Sequence, residues 1–421
     1  MIRCFYIRSS ADYFIMEVRN PAAVRHLRLL YSQNDGEINI EFLAYCAVYN
    51  PILLLTFSVM NVFERWSFLD GCRTAMVLLA LGVVASCEVS AEISRLLFDS
   101  EALDDEITVD VWTPSSYDPL RGEGYPVVYV HDGQNVFDPE QAFAGVAWEL
   151  DDIADRLADN GEIEAPIIVA IHNRGARNLR ANDYFPEMSL EYIATEDKPR
   201  TYIYETCRDG FFGDEYTAFV ATELKPLVDS QYNTSSERTY TVGSSMGALA
   251  SLYLFCEYPG IFKGAACLST HWIGSFKLNS DYTLTDDPVC ASAIFEYLDN
   301  NLPQPTGRKL YFDQGTEGWD ADYLKYESSA REIATGDAYD CASGSLMTYD
   351  ATGAGHNEWF WQQRADKPLK YLLGISSASA DGAVCNPDSA ELPLYDLQGR
   401  IVVGSPSPGL YIRNGKKVLI K

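Results

Sequence analysis

From residue 105 onward, short apolar runs that could only be fully buried alternate with stretches of helical spacing. Tyr125-Pro-Val-Val-Tyr-Val130 and Pro166-Ile-Ile-Val-Ala-Ile171 contain no charged residue. They show none of the two-residue alternation of a half-solvated strand, so they suit strands covered on both faces. Glu106-Ile-Thr-Val-Asp-Val-Trp112 does alternate and reads as an edge strand. Arg238–Val242, Phe262–Leu268, Arg308–Asp313 and Leu346–Tyr349 supply further strands. Helices are expected over 148–159, 219–231, 246–257 and 358–373. Parallel neighbours need a crossover between them, so this order implies an α/β fold. It would have a mostly parallel central sheet, helices on both faces, and a site at the carboxyl ends of the strands. With 47% hydrophobic residues in 421, the chain can bury such a core.

One junction carries chemistry. The strand Arg238–Val242 runs into Gly243-Ser244-Ser245-Met246-Gly247 and then into a helix. A serine in that context sits on a strained strand-to-helix turn, and the flanking glycines let the chain reverse. Such a serine needs a general base, and only five His are present, at 26, 131, 172, 271 and 356. The chain order for this arrangement is Ser, acid, His, which leaves His271 and His356. His271 follows directly on the strand ending at Leu268, with no room for an acid before it, so His356 is the expected base. The acid should lie just past the strand ending at Asp313, in Gln314-Gly-Thr-Glu317-Gly-Trp-Asp320. Asp320 and Glu317 both qualify, with Asp320 preferred; Asp313 reads as a strand end or turn cap. The oxyanion donors are expected to be the backbone N–H groups of Gln134 and Met246, with Gly133 allowing close approach. His131 reads as a structural strand-end residue. No group has metal-ligand spacing, so neither a metal nor a cofactor is expected.

Three runs together, Val128-Tyr-Val-His-Asp-Gly-Gln-Asn-Val-Phe-Asp138, Gly243–Gly247 and Gly353-Ala-Gly-His-Asn-Glu358, resemble the "Putative esterase" family of the α/β-hydrolase fold. That family includes carbohydrate esterase family one, siderophore esterases and S-formylglutathione hydrolase. The resemblance covers roughly residues 100–374. It implies hydrolysis of an acyl ester, of acetyl or feruloyl type, on a sugar or another polar scaffold. It also implies that Asn173–Arg177 and Asp183–Pro186 lie beside the site, with Arg177 and Tyr184 either binding substrate or bracing a loop. Trp272, with Trp148 and Trp319, is a candidate lining for the acyl pocket.

A formal charge of −28 argues against nucleic acid or an anionic membrane surface as partner. The substrate is expected to be a small-molecule or polysaccharide ester. Residues 1–91 read as an upstream extension ending in a secretion signal. Arg73 is followed by a short apolar run, and Val89-Ser-Ala91 suits signal peptidase. Val84-Ala-Ser-Cys87 alternatively fits a lipoprotein box, with Cys87 lipidated. Leu43–Phe63, an uncharged stretch of 21 residues interrupted by Asn50-Pro51, is a weaker candidate for a membrane helix. Beyond the hydrolase segment 92–374, residues 375–393 read as a linker and 394–421 as a small β segment. Leu394-Tyr-Asp-Leu-Gln-Gly-Arg400 and Gly409-Leu-Tyr-Ile resemble the C-terminal sorting domain of type IX secreted proteins. That resemblance implies an outer-membrane secretion machinery as partner and a secreted or cell-surface protein. Six cysteines from Cys207 onward are then candidates for disulfides, although Cys256 and Cys267 sit in apolar runs and read as core.

Overall fold

The computed structural model describes residues 92–375 and, as backbone strands alone, stretches within 4–59 and 409–420. Eight strands form the central sheet: β1 (Glu92–Ser100), β2 (Asp105–Thr113), β3 (Tyr125–His131), β4 (Ile167–Ile171), β5 (Thr234–Ser244), β6 (Gly264–Leu268), β7 (Lys309–Gly315) and β8 (Leu346–Ala351). Their order across the sheet is β8-β7-β6-β5-β3-β4-β2-β1. All neighbours are parallel except at β2, which runs antiparallel to both β1 and β4. This is the α/β-hydrolase arrangement. The stretch read as an edge strand is therefore one place in from the edge. β1 covers it, and its own outward residues Ile93 and Leu97 are exposed.

The uninterrupted apolar runs follow from burial on both faces. Val127 and Tyr129 of β3 enter one core, while Val128 and Val130 enter the other. Ile167, Val169 and Ile171 of β4 likewise oppose Ile168 and Ala170. The first core is closed by α2 (Met246–Glu257), α3 (Pro288–Asn301) and α4 (Trp319–Gly336), the second by α1 (Leu150–Asp159) and α5 (Asp366–Leu373). Every residue of α2 from Met246 to Cys256 is buried, which is why it is apolar all round. Helices α3 and α4 were not expected from periodicity. In α4 the buried residues are Asp320, Tyr323, Glu327, Ala330 and Ala334, two of them carboxylates, so its apolar pattern is weak. The single helix expected over 358–373 is two, Glu358–Gln362 and α5, with Pro368 in the first turn of the second, where its missing N–H costs nothing.

Register brings the strand ends level. Val242 lies opposite Val130, Ser244 opposite Leu268, Leu268 opposite Asp313, and Asp313 opposite Tyr349. The turns that follow β3, β5, β6, β7 and β8 therefore all emerge at one end of the sheet. Cys207, Cys256, Cys267 and Cys290 are buried free thiols, and Cys341 is disulfide-bonded.

In the N-terminal stretch five strands, among them Glu37–Cys46 and Ile52–Val59, pair antiparallel in sequence order. They overlap the segment weighed as a membrane helix. Among the described residues no helix is long and apolar enough to cross a membrane. The signal-like run and Cys87 lie outside the described residues, as does most of the linker. In the tail Gly409–Arg413 and Lys416–Ile420 form an antiparallel pair.

Candidate active site

The turn after β5 has the geometry its sequence demanded. Ser245 has φ 56° and ψ −123°, a backbone state that costs a non-glycine residue roughly 1–3 kcal/mol. A Cβ on Gly243 would lie 2.2 Å from the Gly247 carbonyl oxygen, so only glycine lets the turn close. The strained residue is pinned on both sides: its N–H donates to the Leu268 carbonyl (3.0 Å), and its carbonyl accepts from the His271 N–H (3.2 Å).

His356 lies between β8 and the helix Glu358–Gln362. Its Nε2 is 2.9 Å from Ser245 Oγ and its Nδ1 is 2.6 Å from Asp320 Oδ1. An ionised carboxylate only accepts, so Nδ1 carries the imidazole proton and Nε2 accepts from the serine hydroxyl. The rings of Trp319, Tyr323 and Trp361 stand 5.7, 5.4 and 5.0 Å from the imidazole and box it in. The loop carrying His356 is fastened to the turn after β7. Thr316 and Glu317 N–H both donate to the Ala354 carbonyl (2.9 and 3.0 Å), and Gly353 N–H donates to Thr316 Oγ1 (2.8 Å).

Asp320 is completely buried and stands in the first turn of α4, not in a loop as expected. Burial alone would push its carboxyl up. The hydrogen bond and charge of His356, together with the Ser269 hydroxyl and the Gly315 N–H, hold it below the ordinary carboxylate range. Glu317, the other candidate acid, has an exposed side chain and meets this region through its backbone.

The loop after β3 is bound as tightly. A Cβ on Gly133 would lie 2.5 Å from the Ala170 carbonyl carbon, so glycine permits the loop to cross β4 closely. Asp132 is left-handed (φ 59°), and its carboxylate is clamped by Arg180 through Nε (2.7 Å) and Nη2 (2.6 Å), with Asn173 Nδ2 at 2.5 Å. Its N–H donates to the Tyr184 hydroxyl (3.0 Å). Gln134 follows two residues later, and Met246 opens α2. Among the described residues neither backbone N–H has an internal acceptor.

The remaining expected residues fall elsewhere. Arg177 is exposed and pairs with Asp105. Tyr184 is fully buried and braces Asp132 from below. Trp272 is also fully buried, its indole N–H donating to Glu327 (2.8 Å), and Trp148 packs inside against Trp361. Of the aromatics expected at the acyl pocket, Trp319 stands beside His356. His131 bonds Tyr216 (2.6 Å) and Thr241 (3.0 Å), and burial pushes its pKa down to about 4. His271 bonds Tyr323 and the Ser275 carbonyl, and burial pushes it down to about 3. Both are neutral structural residues. Sequence reasoning missed Arg180, Ser269 and Arg364. Each is a polar residue whose partner lies on a distant segment, and no spacing announces it.

Residues 100–371 match the family described as Putative esterase. Over 168 residues the chain is 29% identical to the uncharacterised protein YjcH of Bacillus subtilis, covering 39% of this chain and 56% of that one. It is 26% identical over 165 residues to the ferri-bacillibactin esterase BesA of the same organism, covering 38% and 53%. The alignments thus span about half the length of these curated relatives. Among solved structures, a ferulic acid esterase superposes with a TM-score of 0.49 at 17% identity, covering 68% of this chain and 98% of that one. An IroE-like serine hydrolase from Shewanella oneidensis gives 0.48 at 17%, covering 66% and 79%. With 100–371 matched, most of the chain is accounted for, and the protein belongs to the Putative esterase family.

Proposed function

We propose that this chain is an exported serine esterase that hydrolyses acyl esters on a carbohydrate through an acyl-enzyme. The observation that carries the reading is the hydrogen-bonded series Asp320–His356–Ser245 at the carboxyl end of the sheet. Ser245 Oγ attacks the ester carbonyl while His356 Nε2 takes its proton. The tetrahedral oxyanion is held by the Gln134 and Met246 N–H groups, and the alcohol leaves with the proton from His356. Water then gives a proton to His356 and attacks the acyl carbon. The carboxylic acid departs and Ser245 Oγ regains its proton. Asp320 stays ionised throughout, fixing the tautomer and stabilising the imidazolium. The signal-like run before Ala91 and the sorting-like tail support export.

The test is a Ser245→Ala variant assayed on p-nitrophenyl acetate, with fluorophosphonate labelling of the wild type. Activity retained at the wild-type rate would sink the reading, and a folded wild type that fails to label would favour a binding module on the same scaffold. A second reading, a siderophore ester as substrate, is favoured by the similarity to BesA. Rates on acetylated xylan, feruloylated oligosaccharide and catecholate esters decide between them.

A further inference from the structure

Beneath Asp320 lies a buried polar cluster that the proposed reaction does not use. Ser269, fully buried and left-handed (φ 44°), sits in the turn after β6. Its Oγ lies 2.7 Å from Asp320 Oδ2, 3.0 Å from the Trp361 indole nitrogen and 2.8 Å from Arg364 Nη2. A hydroxyl has one proton and two lone pairs. The indole N–H and the guanidinium N–H can only donate, so they occupy both lone pairs. The single hydroxyl proton is left for the carboxylate. Arg364 is itself held in place: Nε and Nη2 reach the Asp313 carboxylate (3.1 and 3.0 Å), which also accepts from the Tyr311 hydroxyl (2.8 Å).

We propose that Ser269 is a positioning residue for Asp320, and that Trp361 and Arg364 act through it by dictating where its proton points. Asp320 Oδ2 then receives two donors, Ser269 Oγ–H and Gly315 N–H (2.7 Å), and cannot rotate. Oδ1 is thereby presented to His356 Nδ1 alone. The other ionisable groups around the carboxylate are His356, Tyr323, Arg364 and, across Arg364, Asp313. None of them can supply the donor that Ser269 does without leaving its own partner. The inference rests on the proposed role of the Ser245–His356–Asp320 series.

The test is a double-mutant cycle on the full chain with p-nitrophenyl acetate, using Ser269→Ala, Trp361→Phe and the double variant. Ser269→Ala removes one hydrogen bond to a charged group, so kcat should fall roughly tenfold with KM little changed. A carboxylate short of one donor is more basic and stabilises the imidazolium more, so the acid limb of the kcat/KM profile should move up by roughly half a pH unit. Trp361→Phe keeps an aromatic ring beside His356 but removes the indole N–H, which frees one lone pair of Ser269 Oγ, and should move both quantities the same way by less. In the Ser269→Ala background Trp361→Phe should add nothing, because the group it acts through is gone. A merely structural role would give additive losses and an unmoved profile. Either additivity or an unmoved profile in a folded Ser269→Ala variant overturns the proposal. If Ser245→Ala keeps the wild-type rate, the failure lies with the underlying catalytic reading.

Discussion

Replacing Asp320 by Asn tests the acid through the geometry around it. Asp320 Oδ2 accepts from Ser269 Oγ–H and Gly315 N–H, both at 2.7 Å, while Oδ1 faces His356 Nδ1 at 2.6 Å. An asparagine has one acceptor oxygen and one NH2 group. Its oxygen must stay on the Oδ2 side, because turning the NH2 there would set it against two buried donors, at a cost of about 1–3 kcal/mol each. The NH2 group therefore points at His356, whose Nδ1 has to become an acceptor. The ring proton then moves to Nε2 and faces Ser245 Oγ, so the imidazole can no longer take the serine proton. A wrong tautomer in otherwise intact geometry costs on the order of 10^4 in kcat, or about 5.5 kcal/mol of barrier. The assay is steady-state hydrolysis of p-nitrophenyl acetate near neutral pH, with the thermal melt recorded to show that the variant folds. Glu317→Gln, on the exposed side chain of the same turn, should stay within about twofold of wild type, since surface changes leave buried geometry alone. A folded Asp320→Asn protein within tenfold of wild type, or a Glu317→Gln protein that has lost its activity, would refute the reasoning.

Three further perturbations probe the scaffold. Gly133→Ala would put a Cβ 2.5 Å from the Ala170 backbone, so the loop must move away from β4. Loss of one oxyanion donor predicts a fall in kcat of roughly 10^2, read on the same ester, and wild-type activity would count against Gln134 as donor. Arg180→Met leaves the buried Asp132 carboxylate without its guanidinium. It should cost about 3 kcal/mol in urea unfolding, with much of the loss recovered in the Asp132→Asn/Arg180→Met double variant. His131 and His271 have folded pKa values of about 4 and about 3 against an ordinary 6.5. Below 6.5 the unfolded chain takes up protons that the fold refuses, so stability is full above that pH and falls on acidification toward pH 4. Melting temperatures at pH 7, 5.5 and 4 should decline in that order, and the decline should shrink in a His131→Gln variant.

Much of the frame was legible because local patterns record burial. The runs at 125–130 and 166–171 lack polar residues because alternate side chains enter cores on opposite faces of the sheet. The elbow was legible because its glycines answer a backbone need within five residues. One signal was there and went unread. Asp287-Pro288 opens α3 with a side-chain cap, Asp287 accepting from Cys290 N–H (3.1 Å), and with proline at the first helical position. Other features left little trace. β1 reads as an unremarkable alternating stretch beside a signal-like run, and α4 turns two carboxylates, Asp320 and Glu327, inward, which breaks its apolar stripe.

By itself the sequence determined the α/β class, the serine at the turn, and, by chain order, the histidine that could serve it. Tertiary structure alone put Asp320, and not Glu317, against His356. Gly318 (φ 60°) starts α4 so that the second residue of the helix points into the core and Glu317 points to solvent. It also set Arg177 aside at the surface and put Arg180, three residues on, against Asp132. The physical reason is range. Periodicity, caps and glycines report on a few neighbouring residues. His356 meets Asp320 across 36 positions and Ser245 across 111, and only the placing of β5, β7 and β8 in one sheet, with β6 between β5 and β7, brings those three side chains together.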